Sequence, residues 1–258
     1  MIKRVVYTAL TGNYDSLIQH KFLHPDYDYI CFSNDIPEEM VGHWKIQKID
    51  FSTSDKQLQS RYPKLQPHKV LADYDISIYV DANVGLDDES IFRRVDELID
   101  QGVLLAGVKH QSRKCLYKES LYLILSGRAK KIRLTIEQMR KYKKEGFPRD
   151  FGMYEANIIY RQHNTPKVIT QCDGWWHERQ NYSHRDQLSY SYTLWKNKMP
   201  WAYLLPEQYS ARNYPGISCP NHPGVDKHGR ERIKNIYPKF ILPVLHKILF
   251  PLYYHIIL

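Results

Sequence analysis

Cysteine is scarce in this chain: four residues in 258, at positions 31, 115, 172 and 219, with no Cys-x-x-Cys pair. That spacing supports neither a zinc site nor a disulfide framework, and free thiols in a reducing compartment are expected. Long apolar runs are missing too. The most apolar stretch, near the C-terminus, is interrupted by Pro243, His246, Lys247 and Pro251, whereas a spanning helix needs about 20 unbroken apolar residues. No signal peptide opens the chain, because Met1-Ile2-Lys3-Arg4 runs straight into the short segment Val5–Leu10. A cytoplasmic, structural N-terminus is expected. Internal repeats and low-complexity linkers are also lacking. Negative charge is in deficit, with 28 Asp and Glu against 37 Lys and Arg, for a net charge of +9. Such a balance draws anions: nucleotide diphosphates, nucleic acid or acidic lipid headgroups. The basic residues are spread out and no groove-reading motif accompanies them, so nucleic acid is not the expected partner.

Apolar residues make up 43% of the chain, enough for a sizeable core in one large domain. Tyrosine is abundant, at 21 residues. Aromatic rings with polar tips suit sugar faces and wet interfaces; biased codon usage explains the count equally well. Apolar strand patterns occur at 4–10, 27–32, 44–49, 76–80, 102–108 and 155–160. Helical patterns fill 52–71, 87–99, 117–145 and a segment from about 185 through Trp195. Alternating strands and helices predict an α/β sandwich with a mostly parallel sheet over residues 1–236. Residues 237–258 form a separate tail. It is expected either to lie in a membrane interface, basic residues facing headgroups, or to pack on the core or a second subunit.

Asp81-Ala82-Asn83, directly after the run Ile76–Val80, is the most informative motif. Ligands of open α/β sheets gather where strands end in loops, and a carboxylate there can hold a hard divalent cation that holds a phosphate. Asp81 and Asn83 are therefore candidate metal ligands. Asp-x-Asn also occurs in ordinary turns. Thr11-Gly12-Asn13-Tyr14 and Asn34-Asp35 follow two other strands and are candidate contacts for the base and ribose. Arg61, Lys64 and His68 lie in a basic cluster suited to a diphosphate; a solvated basic loop is the plain alternative. Glu155 and Asn157 alternate at strand spacing and so share a face, placed to bond sugar hydroxyls or to meet solvent. Asp186 is expected at a helix start, stabilised by the dipole with Ser183 as cap, and is a candidate general base. Trp175 and Trp176 either wall an acceptor site or pack in the core. His222 and His228, in a late polar loop, are candidate further metal ligands or simply exposed.

Taken in order, Val6–Asp15, Arg61…Lys64…Pro67-His68-Lys69, Tyr79-Val80-Asp81-Ala82-Asn83, Gly152…Glu155-Ala156-Asn157 and Ser183…Arg185-Asp186-Gln187-Leu188 resemble a known set. It is the glycosyltransferase-like domain of plant turgor-regulation and mucilage-related proteins and of many bacterial polysaccharide-cluster proteins. The resemblance spans roughly residues 4–200. It implies a GT-A-like, Rossmann-like α/β/α fold, a nucleotide-diphosphate sugar donor such as a UDP-sugar, and Mn²⁺ or Mg²⁺. It places Asp81 and Asn83 at the Asp-x-Asp position, with Asn in place of the third-position acid, and Arg185 and Asp186 near the acceptor. The expected function is metal-dependent sugar transfer by an inverting mechanism, with Asp186 and Glu155 catalytic. The expected acceptor is a glycan or lipid-linked glycan of bacterial surface polysaccharide, met at the inner face of the membrane.

Overall fold

The computed structural model describes residues 2–12, 15–111, 113–220 and 241–258. In chain order its elements are β1 (Arg4–Ala9), β2 (Tyr27–Phe32), β3 (Met40–Val41), β4 (Trp44–Gln47), α1 (Lys56–Leu65), α2 (Pro67–Val70), β5 (Ile76–Val80), β6 (Gly85–Leu86), α3 (Ser90–Asp100) and β7 (Leu105–Lys109). There follow α4 (Leu116–Leu125), α5 (Ile132–Lys144), β8 (Tyr154–Arg161), α6 (Pro166–Asn181), α7 (Gln187–Lys196), β9 (Ala202–Tyr203), β10 (Ile217–Ser218), α8 (Leu242–Leu252) and a π turn (Tyr253–Ile257).

Residues 5–9 and 76–80 are buried on both faces, as continuous apolar runs must be when helices cover both sides of a parallel sheet. The large sheet has the order β3-β4-β2-β1-β5-β8-β7-β9. Its β4-β2-β1-β5 half is parallel, the strand order of a mononucleotide-binding half. β8 then enters antiparallel between β5 and β7. Successive side chains feed opposite layers. Val6, Ile78 and Val80 pack with Ile91, Phe92, Val95 and Leu98 of α3. Val5, Tyr7 and Tyr79 pack with Val168, Cys172 and Trp175 of α6 and with Tyr190 and Leu194 of α7. The α/β/α sandwich with a mostly parallel sheet is thus the fold observed.

Three expectations need correction. The helix expected over 117–145 is two, α4 and α5, separated at Gly127, which has φ of +72° in the left-handed region that suits a helix stop. α6 was not anticipated. The tail is not broken at its prolines. Pro243 sits in the first turn of α8, where its missing N–H has no intrahelical partner to lose, and Pro251 is carried inside the last turns before the π turn. Leu242, Phe250 and Tyr253 are buried, and the Tyr253 hydroxyl bonds Ser120 Oγ of α4 at 2.9 Å. No helix of the described residues is long and apolar enough to cross a membrane.

Candidate active site

β1 and β5 are parallel neighbours, so the loops at their carboxyl ends lie side by side. One carries Thr11 and Gly12, the other Asp81 and Asn83. β8 is antiparallel to β5, so its beginning, not its end, reaches the same edge. The Asp81 amide donates to the Asn157 carbonyl at 2.8 Å. Asn157 Nδ2 donates to Glu155 Oε2 at 3.0 Å, so these two side chains do meet. The loop after β1 is held from two sides. Thr11 Oγ1 donates to the Lys56 carbonyl at 2.6 Å, and Asp35 accepts from the Gly12 amide at 2.5 Å and from Lys56 Nζ at 2.8 Å.

α1 and the start of α7 complete the edge. Lys64, with its side chain 3% exposed, places Nζ 3.3 Å from Asp81 Oδ1 and 3.0 Å from Asp186 Oδ2. One buried ammonium therefore joins the two most suggestive carboxylates of the sequence. Arg61 Nε stands 3.2 Å from Asp186 Oδ2. The Tyr79 hydroxyl donates to Asp81 Oδ1 at 2.8 Å, and its ring lies 4.9 Å from Lys64 Nζ. Asp186 also caps α7, accepting from the Gln187 amide at 3.1 Å; Ser183 Oγ instead accepts from the Arg185 amide.

These surroundings separate the carboxylates. Burial alone would push Asp186 up, but Lys64 and Arg61 outweigh it and hold the group far below the usual carboxylate range. Burial pushes Glu155 up, against the opposing Asn157 side chain and Ala211 backbone amide. Burial, reinforced by Arg113 and Arg212, pushes His110 down to about 4, so it is a neutral imidazole at pH 7.

Two cavities open here. The first, about 260 Å³, is lined by Thr11, Gly12, Asp15, Lys56, Ser60, Arg61, Tyr79, Asp81, Asn83 and Lys130. The second, about 440 Å³, is lined by Arg61, Lys64, Asp81, His110, Arg113, Arg128, Glu155, Asn157, Arg185, Asp186 and Arg212. Arg61 and Asp81 border both.

Several candidates lie elsewhere. His68 Nε2 faces Asp173 of α6 at 3.4 Å and lines neither cavity. The Asn34 amide is consumed by both backbone groups of Ile49, and Asp35 supports the first loop rather than lining a cavity. Asn13, Tyr14, His222 and His228 fall outside the described residues. Trp175 and Trp176 are core residues. Trp175 is 1% exposed, stacks on Tyr190 at 4.1 Å and donates Nε1–H to the Asp186 carbonyl at 2.9 Å. Trp176 packs edge-on against Phe51 and Tyr62. No ring face of Trp175 is left for a sugar. Replacing it with Phe should cost about 1–3 kcal/mol, through lost packing and the loss of one hydrogen bond to a carbonyl that still accepts from Ser189 and Tyr190. Denaturant unfolding reads that loss directly. If instead stability holds and only acceptor KM rises, Trp175 belongs to the binding wall after all.

Reading the sequence missed Lys56, Ser60, Arg113, Arg128 and Arg212. Each is an isolated polar residue in a helix or loop, and only the chain's return to the sheet edge gathers them. Lys56 carried one local signal: it opens α1 one residue after Asp55, whose side chain accepts from the Leu58 amide.

The donor set suits a hard ion of low protein ligation. Asp81 is one-third exposed, at 32% of its side chain, and both Lys64 and Tyr79 engage its Oδ1. Asn83, two residues on, is buried at the wall of the first cavity. One carboxylate and an amide oxygen match the sparse oxygen set with which Mg²⁺ and ions like it bind phosphates and water. Among the described residues no three His, Cys, Asp or Glu side chains form a metal cage, so such an ion would need the diphosphate to complete its shell.

Comparison with solved structures finds mouse xyloside xylosyltransferase 1 in its apo form, 9% identical, covering 86% of this chain and 99% of that one at a TM-score of 0.46. Core-mannan synthase A from Aspergillus fumigatus, in a Mn/GDP form, is 11% identical and covers 94% and 82% at 0.46. The galactosyltransferase LgtC, with donor and acceptor sugar analogues, is 14% identical and covers 78% and 72% at 0.41. At such identities and scores no residue role transfers from them. No curated protein matches the sequence. The model of the TOD1/MUCI70 glycosyltransferase-like domain matches residues 5–213, a span that includes both cavities' strand-end residues. The enzyme class expected from the sequence, a glycosyltransferase, is the class this family carries. The chain therefore belongs to the TOD1/MUCI70 glycosyltransferase-like domain family.

Proposed function

We propose that this chain moves a sugar from a nucleotide-diphosphate donor, a UDP-sugar in the first instance, to a hydroxyl of a glycan or lipid-linked glycan. The observation that carries the proposal is the meeting of two cavities at Arg61 and Asp81. Group transfer between two substrates needs two sites with a shared wall, so that the reacting atoms are held within attack distance. The smaller cavity suits the donor. Thr11, Gly12 and Asp15 stand where strand-end loops take a base and ribose, and Lys56, Arg61 and Lys130 supply cations for the diphosphate. The larger cavity, with Glu155 and Asn157, suits the acceptor.

The chemistry follows from charge. As the anomeric C–O bond to the diphosphate breaks, negative charge builds on the departing oxygen, and preorganised cations beside it lower the barrier. Arg61 and Lys64 are two such cations, held by Asp186. Asp81 and Asn83 would hold Mn²⁺ or Mg²⁺, which when bound adds further positive charge against the leaving diphosphate. The acceptor oxygen bonds the anomeric carbon and gives up its proton to a carboxylate. Asp186, paired with Lys64 and Arg61, is poorly suited to take it. Glu155, buried beside Asn157 in the same cavity and free of a cationic partner at hydrogen-bond distance among the described residues, takes the role in an inverting displacement. The setting we infer is assembly of bacterial surface polysaccharide at the inner face of the cytoplasmic membrane, in line with the basic surface.

A thermal-shift series tests the donor site. UDP at about 100 times its Kd should add about 2.7 kcal/mol to stability, or a rise of roughly 5–10 °C for a domain of this size. Mn²⁺ should enlarge the rise, and Asp81→Ala should remove the metal's share. No response to UDP, GDP, CDP or ADP, with or without Mn²⁺, would discard the donor-site reading.

A further inference from the structure

The outer face of α8 and the π turn carries Val244, Ile248, Leu252 and Ile256, which are 56%, 66%, 46% and 74% exposed. They recur every four residues, so they form one stripe along the helix. The opposite face is spent: Leu242, Phe250 and Tyr253 are buried against the domain. Cations flank the helix. Arg149 lies 5.1 Å and Lys118 5.4 Å from the Phe250 ring. Lys143 Nζ lies 4.5 Å from the Tyr254 ring and donates to the Tyr254 carbonyl at 2.6 Å. Arg140 Nε donates to the Ile257 carbonyl at 2.7 Å. Lys247 is exposed at the margin of the stripe.

We propose that this face docks on an anionic phospholipid bilayer, with the stripe immersed at the headgroup–acyl boundary and the flanking cations among the phosphates. The occupant is decided by charge. An amphipathic helix with an apolar outer stripe and a basic margin is the composition that binds in the plane of an anionic interface. A second copy of this chain would bring the same cations against one another, with no acidic margin on the helix to receive them. The inference is independent of the transferase reading, because it uses none of the active-site residues. A cavity of about 450 Å³ beside α8, lined by Arg113, Lys114, Lys118, Glu119, Asp150 and His246, shares Arg113 and Glu119 with the larger cavity of the candidate site.

Vesicle flotation of the full chain tests the docking. Binding to vesicles of 30% phosphatidylglycerol in phosphatidylcholine is expected to exceed binding to pure phosphatidylcholine by at least about tenfold, and to fall with salt. The pair Ile248→Ser and Ile256→Ser should lower it about tenfold or more, and Lys247→Gln about fivefold. All three positions are exposed, so the fold is kept, and circular dichroism verifies this. Failure of the wild type to float, or unchanged flotation of the double variant, overturns the proposal. So does a dimer in solution that the double variant splits without any vesicle binding, which assigns the stripe to a second copy. UDP-induced thermal shifts are read in parallel. Their loss would sink the donor-site reading and leave the docking result standing.

Discussion

Glu155→Gln is expected to lower kcat by about 10²–10⁴, the contribution of a positioned general base, while donor KM stays within about threefold. The substitution keeps shape and the contact with Asn157 but cannot accept a proton. Two further readouts separate a base from a structural residue. First, the base acts as carboxylate, so wild-type kcat/KM should fall as pH drops through the Glu155 pKa. Burial has raised that value, so the acid limb should lie above the ordinary carboxylate range and vanish in the variant. Second, a carboxyl with a raised folded-state pKa contributes stability below its unfolded pKa and loses it as pH rises through the folded value. At pH 7 its ionised form burdens the fold, so Glu155→Gln should melt no lower than the wild type and somewhat higher. Release of nucleotide diphosphate, followed by coupled assay or chromatography, gives the rates. A variant retaining more than about a tenth of wild-type kcat would return the base role to another group.

Lys64→Met should cost both stability and activity. The ammonium is buried between Asp81 and Asp186. Removing one member of a buried ion pair costs about 3–5 kcal/mol, because the remaining charge is left without its partner. The lower end is expected, about 3 kcal/mol, since Arg61 still stands beside Asp186 and Asp81 is partly solvated. That corresponds to a fall in Tm of roughly 6–12 °C. The sign of the pH dependence is set by Asp186, whose folded pKa is depressed. Its stabilisation is present above the unfolded carboxylate range and is lost as pH falls through the folded value. The deficit of Lys64→Met should therefore be full at pH 5–8 and shrink only below about pH 4. Adding Asp186→Asn to Lys64→Met should recover part of the loss, a coupling that a double-mutant cycle measures. Turnover should fall too, by about tenfold or more, because one cation beside the leaving group is gone. Additive single effects would mean that the two side chains do not interact and that the bridge is not formed in solution.

Much of this was written locally in the chain. β1 and β5 were legible because a strand covered on both faces must be mostly apolar, β2 by its buried second half Ile30-Cys31-Phe32, and their ends were marked by Gly12, Asn34 and Asp81. Glu155 and Asn157 were legible as a pair because alternate residues of a strand share a face. α6 had a signal that was passed over. Val168, Cys172, Trp175, Trp176 and Arg179 recur at helical spacing and are all buried, but the Trp pair drew attention as a sugar wall. Gly127 likewise announced the break between α4 and α5.

The sequence alone determined the fold class and the sheet edge at which most of the candidate residues gather, because period, burial and strand-end residues are properties of neighbouring positions. Which carboxylate is ion-paired and which is merely desolvated was decided only by the tertiary structure. Asp186 and Glu155 look alike as residues; one is pinned by Lys64 and Arg61 from α1, and the other is buried beside an amide. Pairing and desolvation set a carboxylate's proton affinity, and both depend on segments far apart in the chain that meet only when it is folded.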